Sequence, residues 1–133
     1  MNQGLSQCEQ RVLVAEDNAA LAAVVRFHLE RAGLQVDLAR NGREAWNLLQ
    51  DRSYAVVITD QQMPEMSGTE VCTLMRSDPR LASVPVLMLT AKSLELDSSR
   101  LREELGVREL VAKPFSVCEL TETVRGCLGG SAG

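Results

Sequence analysis

Histidine clusters, paired cysteines, a basic surplus and long apolar runs are all missing from this 133-residue chain, and each absence removes a class of function. There is a single histidine, His28, and the four cysteines (Cys8, Cys72, Cys118, Cys127) form no Cys-x-x-Cys pair, which argues against a zinc site. Cys72, Cys118 and Cys127 read as small reduced residues of helices, and Cys8 sits in a loose arm open to oxidation in vitro. The formal net charge is −4, so the chain is not built to grip nucleic acid or an anionic membrane surface by itself. No apolar run, Val84 to Leu89 included, comes near the ~20 residues of a spanning helix. Met1 to Gln10 is polar and has no apolar signal core. A cytoplasmic protein without membrane or direct nucleic-acid contact is expected.

The length suits one domain with one core, and 45% apolar residues argue against disorder. No internal repeat or low-complexity segment occurs. The expected organisation is a flexible arm over residues 1–9, a folded domain over 10–128 and a Gly-rich flexible tail over 129–133.

The stretch that organises the chain is Val56-Val57-Ile58-Thr59-Asp60, followed by Met63-Pro64 and Gly68. Consecutive β-branched residues without polar alternation read as a strand buried on both faces, as in parallel sheets. Asp60 stands at its carboxyl end, and Pro64 and Gly68 turn the chain away. Strands are expected over 11–15, 34–39, 54–59, 85–90 and 108–112. Between and after them lie helical patterns: one capped by Asn18 and stopped at Gly33, one opened by Asn41-Gly42, one over 68–77, one over 95–105 and one capped by Ser116. Leu21, Val24, Val25, Leu29 and Ala32 are read as the inner face of the first helix. Unbroken strand–helix alternation implies right-handed crossovers and a doubly wound α/β fold: a five-stranded parallel sheet with helices on both faces. Strands 1, 3 and 4 are the most apolar and should be central, with strand 2 at an edge.

Four strand ends carry polar groups: Glu16 and Asp17, Asp60, Thr90, and Lys113 followed by Pro114. In an open parallel sheet these ends share one rim, where ligands bind. Three carboxylates together repel, and a divalent cation relieves them. Oxygen-only ligands, few in number, suit Mg²⁺, which also takes phosphate oxygens. A cation and an ammonium beside one exposed carboxylate make a place for a phosphoryl group, with the carboxylate as nucleophile.

Glu16-Asp17, Asp60 with Met63-Pro64 and Gly68, Thr90-Ala91 and Lys113-Pro114-Phe115 occur in register, each at a strand end, and through them the chain resembles the response-regulator receiver domains of two-component signalling. The resemblance spans roughly residues 10 to 128. It implies a flavodoxin-like strand order of 2-1-3-4-5. It implies that Asp60 accepts phosphate from a sensor histidine kinase or a histidine phosphotransfer protein. Asp17 and Asp60 would bind Mg²⁺ directly, Glu16 through water, and the backbone carbonyl of Gln62 would be a further ligand. Lys113 would pair with Asp60 and then with the phosphoryl oxygens, its bond to Pro114 being cis, and Thr90 would hydrogen-bond a phosphoryl oxygen. Gln62 and Lys92 hold positions that tune phosphate lifetime. Helix 4, strand 5 and helix 5 would form the surface read by an unknown downstream protein or effector domain, as a monomer or a phosphorylation-dependent dimer. Apart from self-catalysed phosphorylation and slow dephosphorylation, no enzyme activity is implied.

One position departs from the family. Where receivers commonly carry Tyr or Phe on strand 5, this chain has Leu110, so switching would rest on Thr90 and the loop after strand 4. Rival readings are an unphosphorylated pseudo-receiver, a phosphatase of the haloacid dehalogenase class and a flavin-binding protein. The intact acids with Thr90 and Lys113 count against the first. Gln62 stands where the second wants another Asp, and no hydroxyl- and Gly-rich phosphate loop follows strand 1 for the third. His28 and Trp46 are read as a helix-face residue and a packing residue.

Overall fold

The computed structural model describes residues 10–91 and 98–130. Strands and helices alternate as β1 (Arg11–Ala15), α1 (Ala19–Arg31), β2 (Gln35–Ala39), α2 (Gly42–Asp51), β3 (Val56–Asp60), α3 (Gly68–Ser77), β4 (Val86–Ala91), α4 (Ser98–Leu105), β5 (Val107–Lys113) and α5 (Val117–Gly130). The strands form one parallel sheet in the order β2-β1-β3-β4-β5. The expected flavodoxin-like order is therefore present, with β1, β3 and β4 inside and β2 and β5 at the edges.

Period-two alternation splits the core into two layers. Leu13, Val57 and Met88 face α2, α3 and α4 and meet Ala45, Leu49, Val71, Met75 and Leu101. Val12, Val14, Ile58 and Leu87 face the other way and meet Val25 and Leu29 of α1 and Leu120 and Val124 of α5. All five residues of β3 are buried, which is why that strand shows no polar alternation in sequence.

The helix starts follow from caps. Asn18 Oδ1 accepts from Leu21 N at 3.1 Å, Asn41 Oδ1 from Glu44 N at 2.8 Å, and Ser116 Oγ from Glu119 N at 3.2 Å. Such caps contribute ~1 kcal/mol each. Ser67 and Glu70 form a reciprocal capping box at the start of α3. Gly33 has φ +95°, the left-handed conformation that ends α1.

Several expectations need correction. Val24 is 44% exposed rather than on the inner face of α1. The buried face of α1 is Ala22, Val25 and Leu29, and the step of about 100° from Val25 turns Val24 outward. The third strand starts at Val56, not Tyr54; Tyr54 lies before it, with its hydroxyl donating to Asp37 Oδ2 at 2.7 Å. Burial, reinforced by Asp37, pushes the Tyr54 phenol well above its ordinary value. The fifth strand runs one residue further at each end, with a register shift opposite Val86/Leu87. Helix α5 continues through Gly129 and Gly130, two residues expected in the tail, since glycine weakens a helix without forbidding it. The start expected for the fourth helix at Glu95, the arm with Cys8, and Lys92 lie outside the described residues.

Candidate functional site

The register of the sheet gathers the chemistry at one rim. Ala15 pairs with Thr59, so Glu16 and Asp17 leave β1 beside Asp60 at the end of β3. Asp60 pairs with Leu89, Thr90 with Ala112 and Ala91 with Lys113, which brings the ends of β4 and β5 to the same level. The Lys113–Pro114 peptide is cis.

Three acids and one ammonium meet there. Lys113 Nζ donates to Asp60 Oδ2 at 3.1 Å and lies 3.1 Å from Glu16 Oε1. Glu16 Oε2 accepts from the backbone N–H of Asn18 at 3.1 Å, which ties the acid to the cap of α1. Glu16 and Asp60 are buried, 2% and 5% exposed, whereas Asp17 is exposed. Glu16, Asp17 and Asp60 each offer a carboxylate oxygen within 4.8 Å of the others.

Burial pushes the Glu16 carboxyl above its ordinary 4.5. The Asn18 N–H and Lys113 oppose that rise, and neighbouring Asp60 adds to it. For Lys113, burial pulls downward, but the hydrogen bonds and charges of Glu16 and Asp60 outweigh it and hold the ammonium above its ordinary 10.5. Lysine is therefore charged at neutral pH. With all three acids ionised, three carboxylates face one ammonium, and two negative charges stay unbalanced.

The donor set fits a hard divalent cation. Every candidate ligand is an oxygen, and the excess charge at the rim equals that of one such ion. Glu16 Oε1 is buried, and the Lys113 ammonium 3.1 Å away, shared with Asp60, is the partner that faces it. A group so placed is costly to leave unpaired. The cluster could therefore hold a metal ion.

Thr90 is buried at the end of β4, adjoining the rim. Gln62 is exposed in the turn after β3, two residues beyond Asp60. Leu110 is half-buried on β5, opposite Met88, and packs on the α4 side of the core. His28 Nδ1 lies 3.1 Å from the Val24 carbonyl oxygen on α1, and Trp46 packs against the core, as read from sequence.

Two residues were missed. Gln61 Oε1 accepts from Thr69 N at 2.9 Å and from Thr69 Oγ1 at 2.7 Å. A polar residue beside a turn carries no sequence signal of such a role. Also unforeseen is an apolar hollow of about 410 Å³ beside the rim, lined by Leu21, Ala91, Lys113, Pro114 and Phe115.

Comparison with known proteins points the same way as the geometry. The family model of the response regulator receiver domain matches residues 12–125. The phosphate regulon transcriptional regulatory protein PhoB of Rhizobium meliloti is 38% identical over 119 residues, which are 89% of this chain and 52% of that one. This chain thus spans about half the length of that relative. The polar-differentiation response regulator DivK of Brucella anthropi is 33% identical over 118 residues, 89% of this chain and 95% of that one. The receiver domain of the sensor histidine kinase PA1611 of Pseudomonas aeruginosa superposes with a TM-score of 0.80 at 26% identity, covering 91% of this chain and 98% of that one. That structure has a magnesium ion coordinated in its active site cleft.

Proposed function

The chain belongs to the response regulator receiver domain family, and from that premise we propose that Asp60 accepts a phosphoryl group in a Mg²⁺-dependent reaction. The observation that carries this reading is the meeting of Glu16, Asp17, Asp60 and Lys113 at the carboxyl rim of the sheet, three acids around one ammonium. The donor is a phosphohistidine on a sensor kinase or a histidine phosphotransfer protein. An Asp60 carboxylate oxygen bonds to phosphorus as the phosphorus–nitrogen bond breaks, and the imidazole leaves with the electron pair and takes up a proton. Lys113 lies against Asp60 and is in reach to offset charge on the transferred oxygens. Thr90 supplies a hydroxyl at the adjoining strand end. Asp17, Asp60 and the Gln62 carbonyl would hold Mg²⁺ directly and Glu16 through water, and the ion would supply positive charge toward the carboxylates and the phosphoryl oxygens.

The donor approaches over the apolar hollow and the outer face of α1, where Val24 and Phe27 are the large apolar residues left exposed among the described residues. Exposed apolar surface of this kind beside a reactive rim suits a protein partner. Gln62 and Lys92 set how readily water reaches the phosphoaspartate. The reaction is single-turnover signalling rather than metabolic catalysis. Its output is a shift in the α4–β5–α5 surface, biased through Thr90 by a coupling of ~1–3 kcal/mol. Leu110 replaces the usual ring there, so its part is packing against α4 rather than a swinging aromatic.

Incubation with acetyl phosphate and Mg²⁺ tests the reading by intact mass. One added phosphoryl group is expected on the native chain and none on Asp60→Asn. An unmodified native protein would replace the reading with that of an unphosphorylated binding module, and an Asp60→Asn variant that still gains the mass would remove Asp60 as the acceptor.

A further inference from the structure

Gln61 binds the two ends of the β3–α3 loop to each other. Its backbone N–H donates to the Leu89 carbonyl at 2.9 Å and extends the β3–β4 ladder one residue past Asp60. Its own carbonyl accepts from Gly68 N at 3.0 Å. Its side-chain oxygen takes both Thr69 N and Thr69 Oγ1. Of the first three N–H groups of α3, two are therefore satisfied by Gln61 and the third by Ser67. The contact is close enough that a Cβ on Gly68 would lie 2.6 Å from the Asp60 carbonyl oxygen and 3.2 Å from Gln61 Cα.

Residues 62–67 run between these two fixed ends, with Met63 and Met66 packed against the core and Met66 close against Gly42 at the start of α2. Their backbone is not relaxed: Glu65 has φ +69°, and Met66 N donates to the Pro64 carbonyl at 2.7 Å around it. A three-residue turn with positive φ on a non-glycine residue is rare and persists only when its surroundings over-determine it. The ion pair of Arg43 with Glu65, 3.7 Å and mostly exposed, is too weak to do so. Packing of Met63 and Met66 holds the middle of the loop, and the Gln61–Thr69 clasp fixes its two ends.

We propose that Gln61, acting through Thr69, is a positioning residue that holds the loop backbone bearing the Gln62 carbonyl and so sets the affinity of the acidic rim for a divalent cation. This deepens the receiver reading and rests on it. It also divides the labour between two adjacent glutamines. Gln62 is exposed and free to influence water at the phosphoaspartate, whereas Gln61 is turned toward the helix start and acts on geometry. Replacing Gln61 by methionine removes the acceptor at similar length. Thr69→Val removes only the hydroxyl, leaving the N–H with its partner.

The test is Mg²⁺ titration of the purified native chain and its variants by calorimetry, with amide hydrogen exchange measured in the cation-free state. Gln61→Met is expected to weaken Mg²⁺ binding about tenfold and to speed exchange at Gly68 and Thr69 by at least as much. Thr69→Val is expected to weaken binding about threefold, and Thr69→Ser to restore it to within a factor of two. The double variant should lose less than the product of the two single losses, because both remove parts of one contact. Rescue by serine separates positioning from a general loss of stability, and Thr69→Val and Thr69→Ser carry the test should Gln61→Met fail to fold. A native chain that neither binds Mg²⁺ nor takes phosphate defeats the receiver reading itself. A native chain that binds Mg²⁺ normally, with Thr69→Val and any folded Gln61→Met equal to it in affinity and exchange, defeats the clasp alone.

Discussion

Replacing Lys113 by methionine removes the one positive charge that faces two buried acids. In the native chain the ammonium stands 3.1 Å from both Asp60 Oδ2 and Glu16 Oε1. The acids are almost wholly buried, while the lysine side chain keeps 29% of its exposure. Breaking a fully buried pair from one side costs ~3–5 kcal/mol. Water at the partly open rim screens the orphaned carboxylates, which lowers the expected loss to about 2 kcal/mol in cation-free buffer. The assay is urea unfolding in the presence of a chelator, where the midpoint should fall with no change in slope. Excess Mg²⁺ should recover most of the loss, since it binds the folded acids and not the unfolded chain. Adding Glu16→Gln to Lys113→Met should also recover part of it, giving a coupling of ~1 kcal/mol or more in a double-mutant cycle. Equal midpoints for native and variant protein without cation would refute the reasoning, because the acids would then be stable without their counter-charge.

Two further outcomes follow from the same geometry. Burial holds Glu16 above 4.5, so in the cation-free protein the folded state binds its proton more tightly than the unfolded chain does. The stability this proton contributes is complete below about pH 4.5 and is lost as pH rises through the folded value, a downward slope that Glu16→Gln should remove from an unfolding-versus-pH series. Gly68→Ala should destabilise by ~1–3 kcal/mol, as overpacking does, because its Cβ meets the Asp60 carbonyl at 2.6 Å. Gly33→Ala has open space around it and carries only the strain of φ +95°, so its thermal midpoint should fall less.

The fold was legible because β1, β3 and β4 are buried on both faces and advertise it with unbroken apolar runs. The site was legible because its residues are polar where those runs stop: Glu16 and Asp17 after Ala15, Asp60 after Thr59, Thr90 after Leu89, Lys113 after Ala112. What stayed hidden depends on pairing between segments that are individually unremarkable. Gln61 and Thr69 are ordinary turn and helix-start residues until their 2.7 Å contact is seen. Asp37 reads as the polar half of an alternating edge strand. In the structure it gathers Tyr54 at 2.7 Å, Arg52 at 3.1 Å and Arg11 at 3.5 Å. The outward turn of Val24 is a matter of helix phase, which two neighbouring valines leave ambiguous in the sequence. Phe27, 54% exposed, breaks the rule that large apolar residues turn inward and so was not foreseen on the surface.

Two places where the described residues depart from local self-consistency are adjacent. One is the rim, where three carboxylates share one ammonium. The other is the loop beside it, where Glu65 is held at φ +69°. The two core layers, the helix caps and the unbroken apolar runs of β1, β3 and β4 agree with one another, which is the mark of a chain that specifies a single fold. The unbalanced charge at the rim opposes folding and favours any ligand that supplies positive charge there. Because the excess is two units and the ligands are all oxygens, a divalent cation answers it better than a second lysine would, since the cation leaves coordination positions open to phosphate oxygens. Shared between Glu16 and Asp60 at 3.1 Å from each, Lys113 is held charged by both and bound exclusively to neither, so it balances only part of the negative charge at the rim.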